Sequence, residues 1–446
     1  MSTLIKKMIE YTEMPAIIWH DNTVSYKQLI TKYNKATKFL IDNNVLSGEV
    51  ISLTGDFTPN TIALMFALIH NNNIIVPFNY TIKESEFIKF DIARVQKGII
   101  VNIVDDKYIL EDRGGNGQHV LYETIRKHRH PGLVLFTSGT SGQPKAAVHD
   151  FHKLLEKFKL PRKSLRTVNF LLFDHWGGLN TMLHTLSNGG VVLTLKDRQP
   201  ESICSFIEKH KIELLPASPS FLNLLLISEA YKNYDLSSLK LISYGTEPMP
   251  QTTLIRLKKT FSEVKLQQTY GLIELGVLRS KSKSDDSLWV KVGGEGYQTR
   301  IVKGLLEIKA ESAMLGYLNS SSPFTEDGWF MTGDQVEVEG EYIKILGRKS
   351  EIINVGGEKV YPAEVESVIQ KIENVADVTV FAEKNPIMGN IVCAKIKLLK
   401  EEDTKGFIKR VKIFCKKNLQ SFKVPVKVIV NTDDLYNERF KKKRSF

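Results

Sequence analysis

Cysteine is scarce, with three in 446 residues: Cys204, Cys393 and Cys415. Their spacing matches no metal-ligand pattern. An odd, sparse set argues against a disulfide framework or a zinc site and fits a reducing, cytoplasmic compartment. No run of about 18 apolar residues occurs, so no membrane-spanning helix is expected. The opening residues, MSTLIKKMIEYTEMP, carry acids and lack the apolar stretch of a signal peptide. No internal repeat or low-complexity segment stands out, and no nucleic-acid-binding module accompanies the basic charge.

What is present describes a globular enzyme-sized chain. Hydrophobic residues make up 42% and charged residues 25%, an ordinary globular balance. At about 100–200 residues per domain, 446 residues imply two or three folding units. The formal net charge of +11 suits an anionic partner such as a polyphosphate cofactor or an acidic carrier protein. The lysines are spread along the chain, which equally describes a solvated surface. The one dense cluster is the tail, RFKKKRSF.

The first half alternates short apolar runs with helical patterns. EVISLTG and NIIVPFN read as buried strands, and TPNTIALMFALIHNN between them as a helix. The βαβ rhythm recurs through VNFLLF, GGVVLTL, IELLPAS and LKLISYG, which predicts parallel sheets covered by helices. Near Val290 the pattern changes to short strands with glycine turns, expected to form a small antiparallel, barrel-like portion. RSKSKSDDS reads as a mobile loop. After GRKSE the chain mixes helix and strand. The expected architecture is α/β: a large N-terminal domain over 1–348 with parallel sheets and the barrel-like portion, then a small mobile α+β domain over 349–446.

The stretch Thr137 to Lys145, TSGTSGQPK, holds two glycines, four hydroxyl residues and a lysine. Gly139 and Gly142 permit close backbone approach, and successive N–H groups in such a loop form a concavity suited to phosphate oxygens. Thr137, Ser138, Thr140 and Ser141 add hydroxyls, and Lys145 adds a point charge. It is not a Walker-type loop, because Pro144 precedes the lysine and no hydroxyl residue follows it.

The loop resembles the phosphate-loop signature of the adenylate-forming superfamily, which comprises acyl- and aryl-CoA synthetases, luciferases and peptide-synthetase adenylation domains. Further matches follow in that family's order. TYGLIELG resembles its aromatic-Gly-x-Thr-Glu segment, GWFMTGD its Thr-Gly-Asp segment, and GRKSEIINVGGEKVYPAEVE its hinge and C-terminal domain opening. LLEIKAESAMLGY and LQSFKVP are weaker matches. In type the chain is most similar to an acyl-CoA synthetase.

The resemblance implies ATP-dependent attack of a carboxylate on the α-phosphate, then transfer of the acyl group to a thiol. It assigns the 137–145 loop, with Thr137 and Lys145 at its ends, to the phosphates, and Glu274 to Mg²⁺. Tyr244, Gly245, Thr246, Glu247 and Pro248 become the adenine wall, with Thr269, Tyr270 and Gly271 beside it. Asp334 is assigned to the ribose hydroxyls and Arg348 to ribose or phosphate. His175, Trp176 and Gly177 wall the acyl pocket, with Gly177 and Gly178 leaving room. The bulk of Trp176 points to a small or medium carboxylic acid.

The family's catalytic lysine falls on Lys441 or Lys442, and Lys441 keeps Arg444 three positions on. The usual proline, threonine and glycine of that motif are missing here. Ile273 replaces the usual threonine, and Ser350 occupies the hinge. Three functions meet these residues: a ligase using coenzyme A, an adenylating enzyme loading a carrier protein, or a nucleotide-binding relative without catalysis. The acid and the oligomeric state stay open.

Overall fold

In the computed structural model the described residues are 3–137, 143–195, 197–386, 388–437 and 442–444. Two seven-stranded sheets organise the N-terminal part, with strands between Pro15 and Tyr317. One runs, in spatial order, Lys265–Gln268, Leu241–Tyr244, Leu214–Ala217, Thr167–Val168, Val192–Leu193, Pro15–Trp19 and Asn22–Ser25. Its neighbours are parallel except for the final hairpin. The other runs Gly316–Tyr317, Lys145–Asp150, Gly132–Thr137, Ile74–Asn79, Val50–Gly55, Lys97–Val101 and Tyr108–Asp112. Its centre is parallel and both margins are antiparallel.

The composition of the elements explains this layering. Val50–Gly55 and Ile74–Asn79 are buried at every position, as strands covered on both faces are. Between them, Thr58 caps the helix Pro59–His70 by accepting from the Thr61 N–H. Ten of that helix's twelve residues are buried, so it cannot lie on a surface. It shares one core with Ile17 and Val192 from the first sheet and Ile51, Ile75 and Leu133 from the second. The helices Tyr26–Asp42 and Trp176–Ser187 join the same core.

A six-stranded antiparallel sheet follows, in the order Arg279–Ser282, Trp289–Gly293, Tyr342–Arg348, Phe330–Glu339, Leu305–Ala310 and Tyr297–Val302. A bridge between Gly294 and Tyr297 closes the tight turn from Trp289–Gly293 to Tyr297–Val302, which brings the second strand of this order to the last and curls the sheet into the barrel-like portion. It begins earlier than the composition suggests: Arg279–Ser282, expected to be mobile, pairs in register with Trp289–Gly293. The last part has its own five-stranded sheet, helices Pro362–Ile369 and Thr404–Asn418, and a separate apolar core from Ile353 to Val428.

One expectation needs correction, and one strand direction follows from loop length. Of VNFLLF only Val168 is strand, as the end of Thr167–Val168, because the chain turns after Asn169 and packs the Leu171 and Leu172 carbonyls against Gly178. Lys145–Asp150 is antiparallel to Gly132–Thr137, because the intervening loop is too short to cross over and must close a hairpin. No helix among the described residues is long and apolar enough to cross a membrane.

Candidate active site

The phosphate-suited loop emerges from a hairpin whose last paired residues are Thr137 and Lys145. Ser138, Gly139, Thr140, Ser141 and Gly142 lie outside the described residues. The far side of the hairpin is clamped. Asn319 Oδ1 accepts from the Ala146 N–H at 3.0 Å, and its Nδ2 donates to the Pro144 carbonyl at 2.9 Å. Gly316–Tyr317 adds a short strand along the same edge, Tyr317 facing Ala147.

That strand brings Tyr317 beneath Lys145, whose ammonium lies 5.5 Å from the ring centroid. The Tyr317 hydroxyl donates to Glu274 Oε1 at 2.7 Å. Glu274 sits between the paired segments Gly271–Leu272 and Gly276–Val277. Its backbone carbonyl accepts from the Met314 N–H at 2.8 Å, and its side chain is buried. A magnesium ion fits this carboxylate as a hard-oxygen ligand. Among the described residues no cluster of three or more His, Cys, Asp or Glu could hold a metal unaided.

A second chain of contacts runs alongside. Tyr270 donates to Asp334 Oδ2 at 2.5 Å, and Arg348 Nε lies 3.2 Å from Asp334 Oδ1. Asp334 and Arg348 are cross-strand partners in the six-stranded sheet, so strand register fixes the pair. Thr332 Oγ1 accepts from the Asp334 N–H at 3.0 Å and donates to the Leu306 carbonyl. Burial pushes the Asp334 carboxyl up against the pull of Arg348. Burial works against the Arg348 charge, but Asp334 and Glu274 outweigh it and raise the guanidinium. Burial, then the neighbouring carboxylates, push the Tyr270 and Tyr317 hydroxyls up, so both phenols remain donors. The Tyr270 ring is 6% exposed and packs in the core with Leu275 and Leu278.

The segment Tyr244 to Pro248, expected from the resemblance to wall an adenine, joins this region through its backbone. The Tyr244 side chain is buried, and its carbonyl accepts from the Thr269 N–H at 2.7 Å and Thr269 Oγ1 at 3.0 Å. A Cβ on Gly245 would lie 2.5 Å from Thr269 Oγ1, so only glycine allows this approach. Thr246 has φ +75°, a region that β-branched residues avoid. Glu247 accepts from the Ser220 N–H at 2.8 Å and the Lys442 N–H at 3.3 Å; burial pushes its carboxyl up. Pro248 follows the bend at Thr246 and Glu247.

Other predicted residues are placed differently. Trp176 is 2% exposed and packs edge-on against Phe151 within the core. His175 caps the helix Trp176–Ser187, its Nδ1 accepting from the Gly177 N–H at 3.0 Å. Gly178 leaves no room for a substrate: a Cβ there would lie 2.4 Å from the Leu172 carbonyl. The helix start still adjoins the Glu274 hairpin, since a Cβ on Gly276 would lie 3.2 Å from Trp176 Nε1. Lys441 lies outside the described residues. The Lys442 ammonium points into the C-terminal part, 2.6 Å from the Val378 carbonyl and 3.5 Å from Glu366. Tyr317 and Asn319 escaped the sequence reading as site residues, and Thr332 entered it only as part of the Thr-Gly-Asp segment. Tyr317 closes the LLEIKAESAMLGY stretch, which was its only signal.

The sequence pattern of the AMP-binding enzyme matches residues 6–300, and that of the AMP-binding enzyme C-terminal domain matches 364–442. The chain belongs to the AMP-binding enzyme family. Among other AMP-binding enzymes it is similar to the indoleacetate–CoA ligase of Aromatoleum aromaticum. The two are 24% identical over 434 residues, covering 85% of this chain and 84% of that protein. It is also similar to the 2-succinylbenzoate–CoA ligase of Listeria innocua, 24% identical over 444 residues, covering 93% and 92%. The fold matches that of an anthranilate CoA ligase in complex with anthranoyl-AMP, at TM-score 0.82 and 19% identity over 98% of this chain and 95% of that one. The o-succinylbenzoate CoA synthetase of Bacillus subtilis, in complex with its acyl-adenylate intermediate, matches at TM-score 0.80 and 20% identity over 99% and 97%.

Proposed function

We propose that this chain is an AMP-forming acid–thiol ligase that activates a small or medium carboxylic acid with ATP and transfers the acyl group to coenzyme A. The observation that carries the reading is the convergence of Lys145, Tyr317 and Glu274 at the mouth of the phosphate-suited hairpin. The Tyr270–Asp334–Arg348 chain lies beside it.

In the first step a carboxylate oxygen bonds to the α-phosphorus, and the bond from that phosphorus to the oxygen bridging the β-phosphate breaks, releasing pyrophosphate. Charge builds on phosphate oxygens, so positioned donors and cations lower the barrier. Lys145 and the loop from Thr137 are the proposed phosphate ligands, and Asp334 with Arg348 the ribose contacts. The wall from Tyr244 to Pro248, with Thr269, Tyr270 and Gly271, would flank the adenine. Glu274 would hold Mg²⁺, which would supply charge neutralisation when bound. In the second step a thiol sulfur bonds to the acyl carbon, the carbon–oxygen bond to AMP breaks, and the thiol proton passes to solvent.

We assign 1–348 to nucleotide and acid binding, with the helix start at His175 and Gly177 beside the acyl pocket and Trp176 buried behind it, and 349–446 to a lobe that moves between the steps. Lys441 is favoured as the adenylation cation, because the Lys442 ammonium is engaged elsewhere in this pose. A cytoplasmic setting fits the unpaired, buried Cys204, Cys393 and Cys415. The test is pyrophosphate exchange across a carboxylate panel, followed by acyl transfer to free coenzyme A and to a holo-carrier protein. Exchange with at least one small or medium acid, then transfer to coenzyme A, is the expected result. ATP binding without exchange on any acid would overturn the ligase reading.

A further inference from the structure

Helix Pro362–Ile369 carries a glutamate that is 1% exposed, Glu366. A carboxylate removed from water needs donors, and Glu366 has three sources. The Val380 N–H reaches Oε1 at 2.9 Å. Arg444 Nη1 lies 2.5 Å from Oε1 and Nη2 3.3 Å from Oε2. Lys442 Nζ lies 3.5 Å from Oε2. Both side-chain donors come from the final residues of the chain.

The two cations are themselves shared. Lys442 Nζ donates to the Val378 carbonyl at 2.6 Å and lies 3.4 Å from Asp377, with its side chain 7% exposed. Arg444 Nε lies 3.2 Å from Glu351, just past the predicted hinge. Lys442 and Arg444 alternate with exposed Lys443, as residues along an extended chain do. Lys442 also bridges to Tyr436, and Lys443 N–H donates to the Leu435 carbonyl. All these partners belong to the C-terminal part. One contact does not: the Lys442 backbone N–H donates to Glu247 of the adenine-wall turn.

We propose that Lys442 and Arg444 are positioning residues for adenylation, clamped by Glu366 so that the tail travels with the C-terminal lobe and meets the nucleotide side at Glu247. The clamp is internal to the lobe and persists when the lobe moves. The Glu247 contact is made in the pose described here and breaks on rotation. Lys441, the residue favoured as the adenylation cation, immediately precedes Lys442 in the sequence, so loosening the clamp is expected to impair adenylation. This inference rests on the ligase reading for its catalytic consequence, but not for the clamp itself.

The experiment compares full-length protein with Glu366→Gln and Arg444→Gln, and with Arg444→Lys as the conservative rescue. Three quantities are read: pyrophosphate exchange, transfer from a supplied acyl-adenylate to coenzyme A, and amide hydrogen exchange of the C-terminal peptide. A misplaced catalytic group costs on the order of tenfold to a hundredfold, so Arg444→Gln should lower pyrophosphate exchange by at least about tenfold. Transfer should stay within about twofold, and the tail amides should exchange faster. Arg444→Lys should recover most of the loss. If Glu366→Gln does not fold, Arg444→Gln carries the comparison alone. A parallel fall in both half-reactions, or unchanged adenylation with a loosened tail, overturns the positioning role. Unchanged tail exchange in the variants overturns the clamp. Absence of pyrophosphate exchange in the unsubstituted protein overturns the ligase reading instead, and tail exchange still decides the clamp.

Discussion

The Tyr317 hydroxyl donates to Glu274 at 2.7 Å while its ring lies beneath the Lys145 ammonium. One side chain thus joins the end of the phosphate-suited loop to the carboxylate proposed for magnesium. The two are 129 positions apart in the chain, and a two-residue strand, Gly316–Tyr317, makes the connection.

Tyr317→Phe keeps the ring and removes the donor. Loss of a hydrogen bond to a carboxylate is worth about 1–3 kcal/mol. Pyrophosphate exchange should fall roughly tenfold, with more Mg²⁺ needed for half-maximal rate. A magnesium titration of the variant checks this, and an unchanged magnesium dependence would contradict the link to Glu274.

Tyr270→Phe leaves buried Asp334 with Arg348 as its remaining side-chain partner. The expected cost is about 1–2 kcal/mol of stability together with weaker ATP binding, because the carboxylate loses the donor that orients it. Thermal unfolding with and without ATP separates the two effects. A variant as stable as the parent would show that the 2.5 Å contact contributes nothing.

Gly178→Ala tests whether the glycines after Trp176 leave space for substrate or close a turn. A methyl group 2.4 Å from the Leu172 carbonyl forces the backbone apart, at a cost of about 1–3 kcal/mol. The thermal midpoint should fall whether or not an acid is bound. A fully stable variant with altered acid preference would restore the substrate-space reading.

His149 is fully buried, and burial pulls its imidazole down to about 4 from 6.5. Between those values the unfolded chain binds a proton that the folded chain refuses. Stability therefore falls as pH drops through the window, by up to about 3 kcal/mol. His149→Gln should flatten the dependence of the unfolding midpoint on pH between about 4.5 and 6.5, whatever its effect on absolute stability. An equally steep profile in the variant would assign the acid sensitivity to other groups.

Much of the site was legible where chemistry is concentrated in a short run. TSGTSGQPK, TYGLIELG, GWFMTGD and GRKSE each hold several unusual residues at close spacing, and they placed Lys145, Glu274, Asp334 and Arg348 in one reading. Single residues carried no such signal. Asn319 is one asparagine among serines, and it reaches Ala146 and Pro144 only because two strands pair at the edge of a sheet. Glu366 looks like any glutamate of an amphipathic helix until Val380 and the tail close over it. Trp176, read as a pocket wall from the family resemblance, is covered by Phe151 and its neighbours; a motif match does not say which side of a helix faces the core.

The sequence by itself determined the alternation of buried strands and helices, the change to antiparallel structure before the hinge, and the family to which the chain belongs. These follow from local periodicity and from motifs whose residues are near neighbours. Only the tertiary structure decided which carboxylate meets which donor: Glu274 with Tyr317, Asp334 with Tyr270 and Arg348, Glu366 with Arg444. Those pairings span 14 to 78 positions. They are set by strand register and by the penalty for leaving a buried charge without a partner, and neither is written in any local stretch of the chain.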